Sequence, residues 1–300
     1  MQQNNQQFLS GFVTIAGRPN VGKSSLMNAM IGEKIAIVSN RPQTTRSRIM
    51  GVLTGEHYQI VFLDTPGIHD PKTKLGEYMM HSVHDAMDGM DAVLLILDVT
   101  HINERDTEIA GQLMEKNVPC ILALNKIDLV RPEEILNVIQ KFSALGLEEI
   151  IPVSAKTGDG VPELLDCLRR HLPAGPQYFP EDMITDQPER ILCAEIIREK
   201  ALRNLHDEVP HGIGVEIMQI LRVRDDLTEI HATVYCEREA HKGIIIGKHG
   251  SMLQQIGSDA RKDIERLLAC HVNLKLWIKV RPDWRNNISD LRNLGYDIKN

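Results

Sequence analysis

Short apolar runs alternate with amphipathic stretches along the first half of the chain. Five runs have the length of a buried strand, at residues 12–16, 60–63, 92–97, 120–124 and 150–153. Four stretches have helical spacing, at residues 23–31, 104–116, 133–145 and 162–171. Apolar strands that alternate with helices are typical of an α/β fold with a mostly parallel, doubly wound sheet. A hairpin of residues 47–53 and 58–64 is predicted to interrupt the alternation.

The pattern changes after residue 172. Residues 173–189 contain four prolines and little periodicity, which predicts a semi-rigid linker. A second block follows, with helices predicted at 190–205 and 251–269 and strands at 214–223, 230–236 and 272–280. We therefore predict a disordered N-terminus at 1–7, an α/β domain at 8–172, the linker at 173–189 and an α+β domain at 190–300.

A phosphate-binding loop is predicted between the first strand and the first helix. Residues 17–24 match G-x-x-x-x-G-K-[ST], whose glycines let backbone N–H groups surround a phosphate at a helix N-terminus. Lys23 can reach the β- and γ-phosphates, and the hydroxyl of Ser24 can bind Mg²⁺. A chance turn is the alternative, which the strand–loop–helix context disfavours. The residues predicted to contact the nucleotide here are Gly17, Arg18, Pro19, Asn20, Val21, Gly22, Lys23, Ser24 and Ser25.

Two further segments carry residues suited to Mg²⁺ and the γ-phosphate. Asp64, Thr65, Pro66 and Gly67 form D-x-x-G at the end of a predicted strand. The Asp64 carboxylate can hold Mg²⁺ through water, and the Gly67 N–H can sense the γ-phosphate. Residues 43–46 read Q-T-T-R, and one threonine of this segment, Thr44 or Thr45, is expected to bind Mg²⁺ when GTP is present.

The base is predicted from the N-K-x-D motif at residues 125–128. The Asp128 carboxylate can accept two hydrogen bonds from guanine, whereas adenine would leave it unpaired at high cost. Asn125 would brace the loop, and the stem of Lys126 would cover the base. Residues 154–156 would donate a backbone N–H to guanine O6, which adds Ser154, Ala155 and Lys156 to the predicted site.

Composition and cysteine spacing exclude several classes of protein. The 300 residues are 42% hydrophobic, and no apolar run is long enough to span a bilayer. The Asn/Gln-rich N-terminus lacks the features of a signal peptide. Five scattered cysteines without a C-x-x-C pair argue against a disulfide framework or a zinc site and indicate a reducing, cytoplasmic location.

The charge is unevenly distributed, and this predicts an RNA-binding loop. The chain has a net charge of −7, but residues 238–281 hold nine basic and four acidic side chains. Within them, residues 247–250 form G-x-x-G before a predicted helix, which allows close approach of a sugar-phosphate backbone. The α-β-β-α-β order predicts a type II KH domain, a small interaction module with a tight turn being the alternative. The predicted RNA contacts are Ile245, Ile246, Gly247, Lys248, His249, Gly250, Ser251, Arg261 and Lys275.

With both constellations present, the chain resembles the bacterial Era family, GTPases with a C-terminal KH domain. The similarity covers nearly the whole chain, including Y-F-P-E-D at 178–182 and A-E-I-I-R-E-K at 194–200. It implies binding near the 3′ end of 16S ribosomal RNA and assistance in maturation of the 30S subunit. It also implies peripheral membrane association, although the sequence has no obvious basic amphipathic helix.

The catalytic residues depart from the usual GTPase pattern at one position. Ile68 stands where a glutamine often orients the attacking water, so slow intrinsic hydrolysis is expected. We predict that K⁺ bound through Asn20 accelerates turnover, the alternative being that Asn20 only suits a left-handed loop. The predicted catalytic residues are Asn20, Lys23, Thr44, Thr45 and Gly67. A non-catalytic RNA adaptor and a GTPase of tRNA modification are the competing functions.

Overall fold

The computed structural model describes residues 7–39, 44–66, 73–75, 77–79, 89–116, 118–205, 209 and 212–296. Gln43, Gly67 and Ile68 lie outside the described residues. The chain forms two compact units. The first holds most residues up to Asp186, and the second begins at Gln187 and also includes Ser39, Thr44 and residues 73–75.

The first unit is a six-stranded sheet with helices. Its strands are β1 (Leu9–Ala16), β2 (Ile49–Gly55), β3 (Tyr58–Asp64), β4 (Ala92–Asp98), β5 (Cys120–Asn125) and β6 (Ile150–Pro152). Its helices are α1 (Lys23–Ile31), α2 (Glu104–Met114), α3 (Pro132–Ser143) and α4 (Val161–Arg170). The strand order is β2-β3-β1-β4-β5-β6, with only β2 antiparallel to its neighbour. The predicted parallel sheet with its hairpin is confirmed.

The central strand β4 explains why the first unit has continuous apolar runs. All seven of its residues are buried, because helices cover both faces of the sheet. Leu94 and Ile96 pack in a cluster with residues of α1 and α4, while Val93 and Leu95 pack with residues of α2 and α3. Because β1, β3, β4, β5 and β6 run parallel, their carboxyl ends lie at one edge of the sheet.

The second unit is a three-stranded sheet with helices. Its strands are β7 (Gly214–Arg224), β8 (Leu227–Cys236) and β9 (His271–Val280). Its helices are α5 (Glu189–Asn204), α6 (Glu239–Ile246), α7 (Ser251–Leu268) and α8 (Ile288–Asn293). Strand β8 lies in the centre, antiparallel to β7 and parallel to β9. The strand β8 begins three residues before the predicted start, because Leu227 already pairs with β7 and β9.

Helix α6 was not predicted from the sequence. Residues 244–246 are three successive isoleucines, and β-branched residues favour strands over helices. In the structure they form the last turn of α6, with Ile245 completely buried and Ile244 49% exposed. Packing of one isoleucine into the core thus outweighs local preference.

No helix in the described part of the chain is long and apolar enough to cross a membrane.

Candidate nucleotide site and RNA-binding loop

Two glycines shape the loop between β1 and α1. Gly17 and Gly22 have φ angles of 142° and 101°, which other residues rarely adopt. A Cβ atom on Gly17 would lie 2.4 Å from the carbonyl oxygen of Ile96, and one on Gly22 would lie 2.2 Å from Nδ2 of Asn125. The neighbouring strands β4 and β5 therefore leave no room for a side chain at either position.

The loop closes around the amine of Lys23. Lys23 is 6% exposed, and its Nζ donates to the carbonyl oxygens of Gly17 (3.1 Å) and Arg18 (3.0 Å). Burial lowers the pKa of Lys23 to about 8, although the charge of Asp64 acts in the opposite direction. A buried ammonium inside a loop of backbone N–H groups suits the oxygens of a phosphate.

Three side-chain oxygens converge at the start of α1 and the end of β3. The hydroxyl of Ser24 donates to Oδ2 of Asp64 at 2.6 Å and lies 2.8 Å from Oγ1 of Thr45. Burial raises the pKa of Asp64, while Lys23 and the two hydroxyls lower it. The other carboxylate oxygen, Oδ1, is buried and has no hydrogen-bond partner among the described residues. Carboxylate and hydroxyl oxygens of this kind are the donors that a hard divalent cation prefers.

The two candidate threonines are placed differently. Thr45 is 7% exposed and reaches Ser24 and Asp64, whereas the hydroxyl of Thr44 lies 3.5 Å from the carbonyl oxygen of Ser39. Only the hydroxyl of Thr45 thus belongs to the oxygen cluster.

Asn125 connects three loops at the carboxyl edge of the sheet. Its Nδ2 donates to the carbonyl oxygen of Val21 at 2.9 Å, and its Oδ1 accepts from the backbone N–H of Ala155 at 3.0 Å. Asp128 accepts a hydrogen bond of 2.8 Å from the hydroxyl of Ser154, which orients the carboxylate. These hydrogen bonds bring together the N-K-x-D segment, the phosphate loop and residues 154–156.

Lys126 has a partner that the sequence analysis missed. Its φ angle is 70°, and its Nζ donates to Oδ2 of Asp98 (2.5 Å) and to the carbonyl oxygen of Asn20 (3.0 Å). Although partial burial acts in the opposite direction, hydrogen bonds from Lys126 and Thr100 lower the pKa of Asp98. Asp98 pairs in register with Asn125 at the ends of β4 and β5, so its strand-end position was the available signal.

Arg18 and Asn20 each have a local structural role that does not involve a nucleotide. The guanidinium of Arg18 is paired with Asp106 at 2.6 and 3.0 Å and also donates to the carbonyl oxygen of His101. These contacts direct the Arg18 guanidinium to Asp106 and His101, which lie outside the phosphate loop. Asn20 is exposed and has a φ angle of 66°, the left-handed conformation that the alternative explanation requires.

In the second unit, the G-x-x-G segment forms a tight exposed turn between α6 and α7. Gly247 and Gly250 have φ angles of 71° and 80°, and His249 between them has 53°. A Cβ atom on Gly247 would lie 2.7 Å from Cβ of Met252, so this position also requires glycine. Lys248 and His249 are exposed, which leaves both side chains accessible to a ligand.

Several predicted RNA contacts differ in their accessibility. Ile245 is completely buried in the core, so its side chain cannot contact RNA and that part of the prediction is wrong. Arg261 is exposed on α7. Lys275 is exposed on β9, but its Nζ lies 2.9 Å from Oε1 of Glu229, a residue outside the basic stretch counted in the sequence. Hydrogen bonds from Lys275 and then His231 lower the pKa of Glu229 to about 2.

Comparisons with known proteins agree with this arrangement. Residues 12–126 match the model of the 50S ribosome-binding GTPase family, and residues 208–285 match the KH domain. The GTPase Era of Ruminiclostridium cellulolyticum is 50% identical over 291 residues, which cover 96% of this chain and 98% of the relative. The GTPase Era of Alkaliphilus metalliredigens is 53% identical over 293 residues, which cover 97% of this chain and 99% of the relative.

Two solved structures resemble the whole chain. One is a crystal structure of Era in complex with MgGDPNP and nucleotides 1506–1542 of 16S ribosomal RNA, and the other is an Aquifex aeolicus Era variant bound to GDP and AlF₄⁻. Each has a TM-score of 0.92 and 40% sequence identity, and each match covers 97% of this chain and 100% of the other. The chain therefore belongs to the Era family of GTPases, with a GTP-hydrolysing P-loop domain followed by a KH domain.

Proposed function

We propose that this GTPase binds the 3′ region of 16S ribosomal RNA through its KH domain and assists maturation of the small ribosomal subunit. The observation that carries the proposal is the whole-chain similarity to an Era structure that holds both a GTP analogue and nucleotides 1506–1542 of that RNA. The described G-x-x-G turn supports it, because its glycines and accessible Lys248 suit a sugar-phosphate backbone.

One family description names the other ribosomal subunit. The 50S ribosome-binding GTPase model matches only residues 12–126, within the first unit. The Era–RNA complex matches 97% of the chain and includes the KH domain. We therefore propose the small subunit, because the part of the chain that suits RNA lies outside the region matched by the 50S description.

The oxygen cluster fits a resident Mg²⁺ ion. We propose that Ser24, Thr45 and Asp64 hold it, of which Asp64 has a buried carboxylate oxygen that finds no partner in the described part of the chain. Bound Mg²⁺ would neutralise charge on the β- and γ-phosphate oxygens.

The protein's own groups supply position and charge for hydrolysis. Lys23 places a buried cation where negative charge accumulates on the γ-phosphate, and the preformed loop requires little reorganisation. Asp128, oriented by Ser154, selects guanine by accepting its two N–H donors. Because Ile68 follows Gly67 in the sequence and cannot orient water, we propose that unassisted turnover is slow.

We further propose that the nucleotide state controls RNA binding through residues 44 and 45. Within the second unit, the guanidinium of Arg198 is buried, pairs with Glu195 and donates to the backbone carbonyl of Thr44. The next residue, Thr45, belongs to the first unit and contributes to the oxygen cluster. Thr44 and Thr45 are consecutive in the chain, and Arg198 of α5 holds Thr44. A nucleotide that changes the position of Thr45 is therefore expected to affect Thr44 as well.

The RNA proposal can be tested by charge reversal at Lys248. We expect Lys248→Glu to weaken binding of an RNA with the 3′ sequence of 16S RNA by on the order of tenfold. The salt dependence should also become shallower: the slope of log affinity against log salt should be less negative by about 0.7, the contribution of one single-strand phosphate contact. Titrations with GDP and with a non-hydrolysable GTP analogue would measure the effect of the nucleotide state.

Lys141→Glu provides the matched control, because Lys141 is an exposed lysine of the first unit and the same net charge is changed. GTP affinity should be unchanged in both variants. Equal RNA affinity for the wild type and Lys248→Glu would rule out the G-x-x-G turn as the binding site.

We propose that a K⁺ ion accelerates GTP hydrolysis by supplying positive charge that the catalytic site otherwise lacks. The left-handed conformation of Asn20 already explains an asparagine at this position, so the side-chain oxygen must be tested separately from the backbone. Turnover should be compared in K⁺ and Na⁺ at equal ionic strength for the wild type, Asn20→Asp and Asn20→Gly. We expect faster turnover in K⁺ for the first two proteins and none of this difference for Asn20→Gly. A K⁺ effect that survives in Asn20→Gly, or is missing in the wild type, contradicts the proposal.

A further inference from the structure

A cysteine, a histidine and a glutamate converge at the edge of the first unit's sheet opposite the nucleotide site. Glu149 directly precedes β6, whereas the nucleotide residues follow the carboxyl ends of the strands. Cys167 lies in the last two turns of α4, and His171 is the C-cap of that helix. Cys167 and His171 are four residues apart, so a helical turn places them on one face.

The distances among the three side chains fit a common metal ion. Sγ of Cys167 lies 3.3 Å from Oε2 of Glu149, and Nε2 of His171 lies 3.5 Å from Oε1 of Glu149. The three ligand atoms all lie within 4.8 Å of one another. A tetrahedral ion with bonds of about 2.0–2.3 Å requires its ligands to be about 3.3–3.8 Å apart. Small side-chain adjustments are therefore sufficient.

The burial of these atoms points to a ligand. Cys167 is completely buried. Nε2 of His171 is also buried and has no hydrogen-bond partner among the described residues, although the rest of the ring is partly exposed. A buried imidazole nitrogen that lies near a carboxylate but makes no hydrogen bond is costly, and coordination to a cation is one way to satisfy it.

We propose that Glu149, Cys167 and His171 form a site for a divalent transition metal, with Zn²⁺ as the expected ion. Thiolate and imidazole ligands select Zn²⁺ over Mg²⁺, which prefers oxygen donors such as the cluster at Ser24 and Asp64. The three protein ligands leave a fourth position for water. The bound ion would join the segment before β6 to the end of α4.

Two features oppose metal binding: the proton on the Cys167 thiol and the contact of Arg170 with Glu149. Burial and then Glu149 raise the pKa of the Cys167 thiol to about 11, so the ion must displace a proton from it. Arg170 lies 3.6 Å from Glu149 and competes for its carboxylate, but the Arg170 side chain is 64% exposed and can turn into solvent. Affinity is therefore expected to be moderate.

Titration with Co²⁺ tests the site directly. The full-length protein is treated with chelator, saturated with GDP and excess Mg²⁺, and titrated with Co²⁺ while the absorption of a cobalt–thiolate bond is recorded. We expect one equivalent to produce this absorption and Zn²⁺ to abolish it. Cys167→Ser should abolish the cobalt–thiolate absorption, and His171→Gln and Glu149→Gln should each weaken binding at least about tenfold.

Cys120→Ser and Cys270→Ser are the controls, because these two cysteines are partly exposed and could bind cobalt on their own. GDP affinity, measured for every variant, should be unchanged and shows that each one folds. Absence of the absorption in the wild type, or its persistence in Cys167→Ser, overturns the proposal. Unchanged Co²⁺ affinity in His171→Gln overturns the three-ligand site as well.

Discussion

The predicted nucleotide site and the G-x-x-G turn both contain glycines with positive φ angles, but their other residues are placed differently. In the nucleotide site, Lys23, Asp64 and Asn125 are all buried, and hydrogen bonds of Asp64 and Asn125 join different segments of the chain. In the G-x-x-G turn, Lys248 and His249 are exposed.

We expect this difference to determine how each site recognises its ligand. A buried, cross-connected site penalises the wrong ligand, because any donor or acceptor left unpaired loses its solvation without compensation. An exposed turn relies on charge and close approach, so its affinity should depend strongly on salt. Substitutions should therefore have large, specific effects in the first site and small, graded effects in the second.

The largest effect is expected for Gly22→Ala. The new methyl group would lie 2.2 Å from Nδ2 of Asn125, which cannot move without losing its hydrogen bonds to Val21 and Ala155. We expect nucleotide affinity to fall at least about 100-fold, equivalent to about 2.7 kcal/mol. Isothermal titration with GDP would measure it.

Gly32→Ala is the matched control for backbone strain. Gly32 has a φ angle of 84°, but a Cβ atom there has no neighbour within 4 Å. Alanine should therefore lower the free energy of unfolding by roughly 1–2 kcal/mol without weakening GDP binding. Equal losses of GDP affinity in the two variants would mean that strain, and not the contact with Asn125, explains the effect.

The next largest effect is expected for Asp128→Asn. An amide cannot accept both guanine donors but can pair with the 2-oxo group of xanthine, so GTP affinity should fall on the order of 100-fold while XTP affinity rises. Competition of GTP and XTP against a fluorescent nucleotide would measure both. Unchanged GTP affinity would contradict the guanine assignment.

The smallest effect is expected for Glu229→Gln in the second unit. The substitution removes the carboxylate that holds Lys275, so RNA affinity should increase about twofold to fivefold, with a steeper salt dependence. Glu181→Gln changes the net charge equally at an exposed position of the first unit and should leave RNA affinity unchanged. No change in Glu229→Gln would indicate that Lys275 does not contact RNA.

The sequence predicted the first unit better than the second, and the reason is physical. The phosphate loop, D-x-x-G and N-K-x-D are local motifs, and each follows a strand with a clear apolar run, as at Asp64 and Asn125. In the second unit, helix α6 was missed because Ile244, Ile245 and Ile246 favour a strand locally, while the packing of Ile245 decides the outcome.

Contacts between distant positions were beyond prediction. Asp98 reaches Lys126 only because β4 and β5 are adjacent and in register. Likewise, Glu149 stands 18 residues before Cys167 in the sequence, and only the fold brings the two side chains together. The choice between Thr44 and Thr45 also depended on which hydroxyl the loop brings to Asp64.

The double hydrogen bonding of Asn125 has a consequence for the lifetime of the bound nucleotide. Because one side chain connects the phosphate loop to the residues around the base, neither can open without disturbing the other. We therefore expect the nucleotide to leave when both loops open together and not in two independent steps.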